Sequence, residues 1–349
     1  MYKYILKPIF FKFDSEKVHD FFIYFGNILG NFSITKSIIN FIYNYNGKDI
    51  SKIVDGIEYR TPFILSAGFD YNANLMNILP EIGFSGEEIG SVTARPCNGN
   101  AKPRLTRLIN SESILVNKGL KNDGVEVIIS RIKKYKENKN LDREFVLGIS
   151  IARTNDDKSI SIEAGIEDYT YSFKRLNEEN IGDFYTINIS CPNSFGGEAF
   201  SDPILLERLL INLKKVSCSK PIYIKMPINL VWDKFSKLLS IIDKYNINGV
   251  IIGNLNKDYS YIDRRDNIPE EYRGGLSGRP CINISNNLIK KTKEIYGNRF
   301  TIIGCGGVMS IETAKEKFDS GADLIQLVTG IIYKGPGLIK KLCYNYSIK

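Results

Sequence analysis

The stretch 300-FTIIGCGGVMSIETAKEKFDSGADLIQLVTG-330 decides the fold. It opens with an apolar run that breaks into glycines, continues through a segment of helical spacing from Ser310 to Gly321, and closes with a second apolar run ending in Thr-Gly. Two near-continuous apolar strands joined by a helix imply parallel pairing, because a crossover of this length returns the chain in the same direction. The rhythm recurs upstream at PFILSAG (62–68), GFSGEEIG (83–90), FVLGISIA (145–152), YTINIS (185–190), PIYIKM (221–226) and NGVIIGN (248–254). Amphipathic sequence such as DPILLERLLINLKKV (202–216) fills most of the intervals. With 300–307 and 323–330 the strands number eight, which suits an α/β protein built as a (β/α)8 TIM barrel rather than an open doubly wound sheet. No GxGxxG fingerprint follows the first strand.

Ahead of the barrel, 14-DSEKVHDFFIYFGNILGNF-32 places apolar residues at 18, 21, 22, 25, 28, 29 and 32, and Asp14 or Ser15 is a suitable N-cap. The next stretch, 34-ITKSIINFIYNY-45, puts Ile34, Ile38, Ile39 and Ile42 on one side. The domain reading is a helical extension over 1–50 and a catalytic barrel over 51–349. The two short helices either pack as ordinary core or form a hydrophobic tunnel or membrane-facing platform. No apolar run is long enough to span a bilayer, and Lys7, Pro8 and Lys12 interrupt the N-terminus before a signal-peptide core forms. The expected location is cytoplasmic, with peripheral membrane contact through the helices. The net charge of +8 favours anionic partners, and with no block of basic residues nucleic acid is not expected. A single His, His19, and six Cys without a C-x-x-C pair leave no zinc spacing and argue for free thiols.

In such a barrel the residues just past each strand form the active site. Those residues are Asn188, Ser190, Cys191 and Asn193 after strand four, Lys225 on strand five and Asn254 after strand six. Gly306 and Gly307 follow strand seven, and Thr329 and Gly330 follow strand eight. Glycines and a Thr-Gly at the last two strand ends match a phosphate cradle made of backbone N–H groups. Lys225 reads either as a structural ion pair or as a fixed cation beside a flavin's N1 and O2; cradle plus lysine points to FMN. Cys191 reads as a buried small hydrophobe, a redox thiol, a metal ligand or a proton acceptor. Metal and disulfide roles lack partners in the motif, and Cys191 lies past the apolar part of its strand, ahead of a glycine-containing loop. Proton abstraction is the role that remains.

At these residues the chain resembles the dihydroorotate dehydrogenase family. The resemblance runs through 88-EIGSVTARPCNGNAKPRLTRL-108, 117-NKGLKNDGVE-126, 188-NISCPN-193, 274-GGLSGRP-280, 303-IGCGGVMS-310 and 334-KGPGLIKKL-342. It implies oxidation of dihydroorotate to orotate in pyrimidine synthesis, with Cys191 as the base and hydride passing to FMN. It places the substrate at Asn117, Gly119, Leu120, Asn188, Asn193 and Asn254. It places the cofactor at Ala67, Gly68, Thr93, Ser150, Asn188, Lys225, Gly253, Ser277, Gly278, Gly306, Gly307, Val328, Thr329 and Gly330. The opening KPIFFKFDSEKVHDF is similar to the quinone-reducing, membrane-associated branch, with His19 and Arg107 on the quinone side. That branch carries Ser as base, whereas Cys is usual in the soluble branch that reduces fumarate or NAD; the N-terminal helices favour quinone. The chain departs from the family at Tyr71 (usually Lys), Leu120 (Phe), Ser150 (Asn), Leu255 (Thr) and Val328 (Tyr), and Arg153 is a candidate to replace the charge missing at 71. The alternatives are a related FMN barrel acting on another dihydropyrimidine, and a catalytically weakened flavin-binding paralogue.

Overall fold

The computed structural model describes residues 2–137, 144–190 and 199–348. Eight strands close into a barrel: β1 (Phe63–Leu65), β2 (Gly86–Val92), β3 (Val146–Ile151), β4 (Phe184–Asn188), β5 (Ile222–Met226), β6 (Gly249–Ile252), β7 (Thr301–Cys305) and β8 (Leu324–Leu327). Each pairs in parallel with its chain neighbours, and β8 returns to β1. Six of the eight fall within the runs read from the sequence; β2 continues two residues past its run to Val92, and β4 begins one residue before its run at Phe184. They form because their apolar residues are covered twice, by the barrel interior and by the surrounding helices.

The interior is layered. Its lower layer is apolar: Ile64, Val146, Phe184, Tyr223, Ile251, Ile303 and Leu324 pack on Val54 and Tyr59. The last two belong to a hairpin, Lys52–Val54 with Ile57–Tyr59, that plugs the bottom of the barrel and that strand periodicity did not reveal. Above this layer the interior becomes polar, with Glu88, Lys225 and Gln326 all buried. A second sheet, Leu105–Leu108 with Ser113–Val116 and Gly275–Leu276, stands outside the barrel. It joins the segment after β2 to the segment after β6 and so fixes where Asn117 and Ser277 emerge.

Helices Ser15–Gly30 and Ser33–Tyr43 precede the barrel as expected, and Asp14 caps the first through the Lys17 N–H at 2.8 Å. One edge of the pair packs on the barrel through Ile23, Leu29 and Ile39. Seven of their other apolar residues are exposed: Phe21, Tyr24, Phe25, Ile34, Ile38, Phe41 and Ile42. Among the described residues no helix is long and apolar enough to cross a membrane.

Candidate active site at the barrel mouth

A cleft of about 530 Å³ opens at the C-terminal ends of β5 to β8 and β1. Ten of the residues expected at the cofactor line it: Ala67, Lys225, Gly253, Ser277, Gly278, Gly306, Gly307, Val328, Thr329 and Gly330. Asn254 and Leu255 line it too, as do Ser66, Cys281 and Cys305, which the sequence reading did not single out. Gly306 and Gly307 sit at φ of +92° and +81°, a backbone that side-chain-bearing residues rarely adopt, so the turn after β7 demands glycine. Thr329 opens helix Thr329–Lys334 and donates to the Ser277 hydroxyl at 2.8 Å, which brings hydroxyls from two distant segments to one end of the cleft.

Lys225 lines the same cleft. Its ammonium donates to Ser66 Oγ at 3.3 Å and lies 3.8 Å from Glu88 Oε1. Ser66 donates to Gln326 Oε1 at 3.2 Å, and Gln326 Nε2 donates to Glu88 Oε2, so the four side chains form a closed ring. A buried lysine without this ring would leave an uncompensated charge. The sequence reading missed Glu88 and Gln326. The available signal was a pair of glutamates in β2 and a lone amide in the otherwise apolar β8. The preceding residue, Glu87, faces away from that ring. It is buried, neither carboxyl oxygen has a hydrogen-bond partner among the described residues, and burial, then Asp70, pushes its pKa well above the usual carboxylate range.

The amides gather beside the cleft. Asn188 Nδ2 donates to Ser91 Oγ at 2.8 Å, and Ser91 in turn hydrogen-bonds Ser150 at 2.8 Å. Asn254 Nδ2 donates to Ser190 Oγ at 2.6 Å and O at 3.0 Å. The ends of β2, β3, β4 and β6 are therefore tied together through side chains. Cys191 and Asn193 lie outside the described residues.

Other expected residues do not line the cleft. Gly68 continues from Ala67 and donates its N–H to Gly90 O at 3.0 Å. Thr93 is occupied structurally, accepting from Asn122 Nδ2 at 2.7 Å and donating to Arg95 O at 2.6 Å. Asn117, Gly119 and Leu120 form the loop after strand Ser113–Val116, with Leu120 at φ +62°. Arg153 packs its guanidinium 6.0 Å from the Phe200 ring and is not among the cleft residues.

Tyr71 itself sits between Lys118 and His19. The Lys118 ammonium lies 5.3 Å from the centre of its ring, and the His19 ring 5.3 Å away on centroids. His19 also places Nε2 2.7 Å from Phe69 O, at the seam between helix Ser15–Gly30 and the segment after β1. Arg107, on the outer sheet, donates to Phe13 O at 2.9 Å and stacks over Phe11 at 4.7 Å.

The family model for dihydroorotate dehydrogenase matches residues 50–347. A curated dihydroorotate dehydrogenase (quinone) from Aliivibrio fischeri strain MJ11 is 35% identical over 343 residues, covering 96% of this chain and 97% of that protein. The protein of the same description from Christiangramia forsetii is 34% identical over 349 residues, covering 98% and 97%. Among solved structures, the Eimeria tenella enzyme in complex with ferulenol superposes with a TM-score of 0.81 at 22% identity, covering 95% of this chain and 90% of that one.

Proposed function

The chain belongs to the dihydroorotate dehydrogenase family, and from that premise we propose that its barrel mouth oxidises dihydroorotate to orotate for pyrimidine synthesis and passes the electrons to a quinone. The observation that carries the reading is the cleft itself, which one buried lysine held by a closed ring shares with positive-φ glycines and paired hydroxyls.

That arrangement fits FMN. Gly306, Gly307, Ser277, Thr329 and Gly330 would hold the phosphate, and Lys225 would face the electron-rich edge of the ring. When bound, the flavin supplies a two-electron acceptor for hydride from C6 of the substrate. Cys191 accepts the proton from C5. Asn117, Asn188, Asn193 and Asn254 orient the substrate, since each amide both donates and accepts. The Ser91 bridge fixes the Asn188 amide, so a serine at 150 still contributes to holding it. A pocket lined by Leu255 where the family has threonine offers one hydroxyl fewer to the substrate ring.

Residues 1–50 form the acceptor side. The outward apolar face of the two helices rests on the headgroup region of a membrane, and a quinone reaches the cleft along the seam marked by His19, with Arg107 on the neighbouring sheet. Orotate formation measured with a ubiquinone analogue, with fumarate and with NAD tests the acceptor. Turnover is expected to be fastest with the quinone; faster turnover with fumarate or NAD would place the chain functionally with the Cys-bearing soluble branch.

A further inference from the structure

Helix Ser15–Gly30 buries a carboxylate where an amphipathic helix ordinarily buries an apolar side chain. Glu16, in its first turn, is 4% exposed. It accepts from Arg104 Nη2 at 2.7 Å and Nε at 3.1 Å, and from Lys118 Nζ at 2.9 Å, with Lys102 Nζ 3.9 Å away. Against the cost of burial, Arg104 and Lys118 hold its carboxyl well below the ordinary range, at about 2.

The connection continues past Arg104. Its Nη1 donates to Asn98 O at 2.8 Å and to Asn100 O at 2.7 Å. Asn100 then donates its side-chain amide to Asn117 Oδ1 at 2.9 Å and its backbone N–H to Lys118 O at 3.0 Å. Asn155 Nδ2 closes the far side, donating to Asn100 Oδ1 at 3.0 Å and to Gly119 O at 3.0 Å. Asn117 donates its own N–H to Arg104 O at 2.8 Å. Glu16 thus reaches the 117–119 loop by two routes, directly through Lys118 and through Arg104 and Asn100.

We propose that Glu16 is a positioning residue for dihydroorotate: by clamping Arg104 and Lys118 it sets the Asn117 amide, so that the substrate site is complete only while the N-terminal helix is docked. The proposal rests on the assignment of Asn117 to the substrate. By reciprocity, substrate held at Asn117 strengthens the docking of the helix. The acceptor side and the substrate side then communicate through one carboxylate rather than through the barrel.

The test uses full-length flavin-loaded protein and Glu16→Gln, which keeps the volume and removes the charge. Amide exchange at Asn100 and Asn117 should rise at least about tenfold while strand β2 keeps its wild-type protection. The dihydroorotate concentration for half-maximal flavin reduction should also rise at least about tenfold, with a smaller change in maximal rate. Glu16→Asp should recover part of both, and Lys118→Met, which cuts one route, should give the same pattern at smaller amplitude. Unchanged exchange at Asn100 and Asn117 overturns the proposal, and so does a rise spread equally over the barrel strands, which marks general support of the fold. If dihydroorotate fails to reduce the wild-type flavin, the substrate reading falls, and the exchange measurement still decides whether Glu16 positions the loop.

Discussion

Helices Trp232–Lys244 and Ser15–Gly30 are both amphipathic, yet they bury opposite chemistry. The first buries Phe235, Leu238, Leu239 and Ile242 against the barrel. The second fully buries only Glu16 and Gly30, and leaves Phe21 46% and Tyr24 68% exposed. It lies close to the barrel through small residues: a side chain at Gly26 would meet Leu75 at 2.7 Å, and one at Gly30 would meet Asn77 at 3.0 Å. Helix Ser33–Tyr43 fully buries nothing, and Phe41 is 82% exposed. A barrel helix therefore uses its apolar residues for folding. The N-terminal pair is attached by glycines, an ionic clamp and a few aliphatic contacts, and leaves its aromatic face exposed.

The sharpest way to break this contrast is to truncate one phenylalanine on each helix. Phe235→Ala should cost about 3–5 kcal/mol in chemical denaturation, as expected for a large buried side chain. Phe25→Ala should stay within about 0.5 kcal/mol of wild type and weaken binding to anionic vesicles in a sedimentation assay. Equal destabilisation by the two would mean that the N-terminal face is core after all. Next in size, Cys191→Ala should slow flavin reduction by dihydroorotate by about 10²-fold or more. Reoxidation of dithionite-reduced protein by quinone should be unaffected, as the proposed assignment of that half-reaction to the helical side requires. A matching loss in both half-reactions would remove the division of labour.

The smallest effects concern two buried glutamates, one in each region, with opposite pH signatures. The folded-state pKa of Glu16 is depressed to about 2 from an ordinary 4.5, so its stabilisation is complete above the ordinary value and is lost as pH falls toward 2. That of Glu87 is raised, so its contribution is present below 4.5 and is lost as pH rises through the folded-state value. Glu87→Val should stabilise the protein by about 1–3 kcal/mol at neutral pH, by removing a buried carboxyl with no hydrogen-bond partner among the described residues. Unfolding midpoints from acid to neutral pH should flatten on the acid side in Glu16→Gln and on the rising side in Glu87→Val. A destabilised Glu87→Val would mean that this carboxyl has a use in the fold.

Much of this was legible in the sequence, and the exceptions share a cause. The eight strands and both N-terminal helices announce themselves by local periodicity, and glycines at strand ends mark the cradle. The plug hairpin and the outer sheet do not, because their strands run two to four residues and some pairings, such as Gly275 with Val116, join segments far apart in the chain. The same holds for the site. Lys225 stood out as a lone cation on an apolar strand, but its partners Glu88, Ser66 and Gln326 come from three other strand ends and become a ring only when the barrel closes. Arg153 shows the limit of strand-end position alone: it lies past β3, and the direction of its side chain, 6.0 Å from the Phe200 ring, is set by packing that the sequence does not display.

The central claim is that the mouth of this barrel is a flavin site that draws electrons from dihydroorotate. Purified protein, kept free of oxygen and titrated with dihydroorotate, tests it directly. The account predicts that the yellow absorbance bleaches in proportion to substrate added, with orotate appearing in step. A yellow protein that keeps its colour under excess dihydroorotate, or that bleaches only with a different dihydropyrimidine, would contradict it.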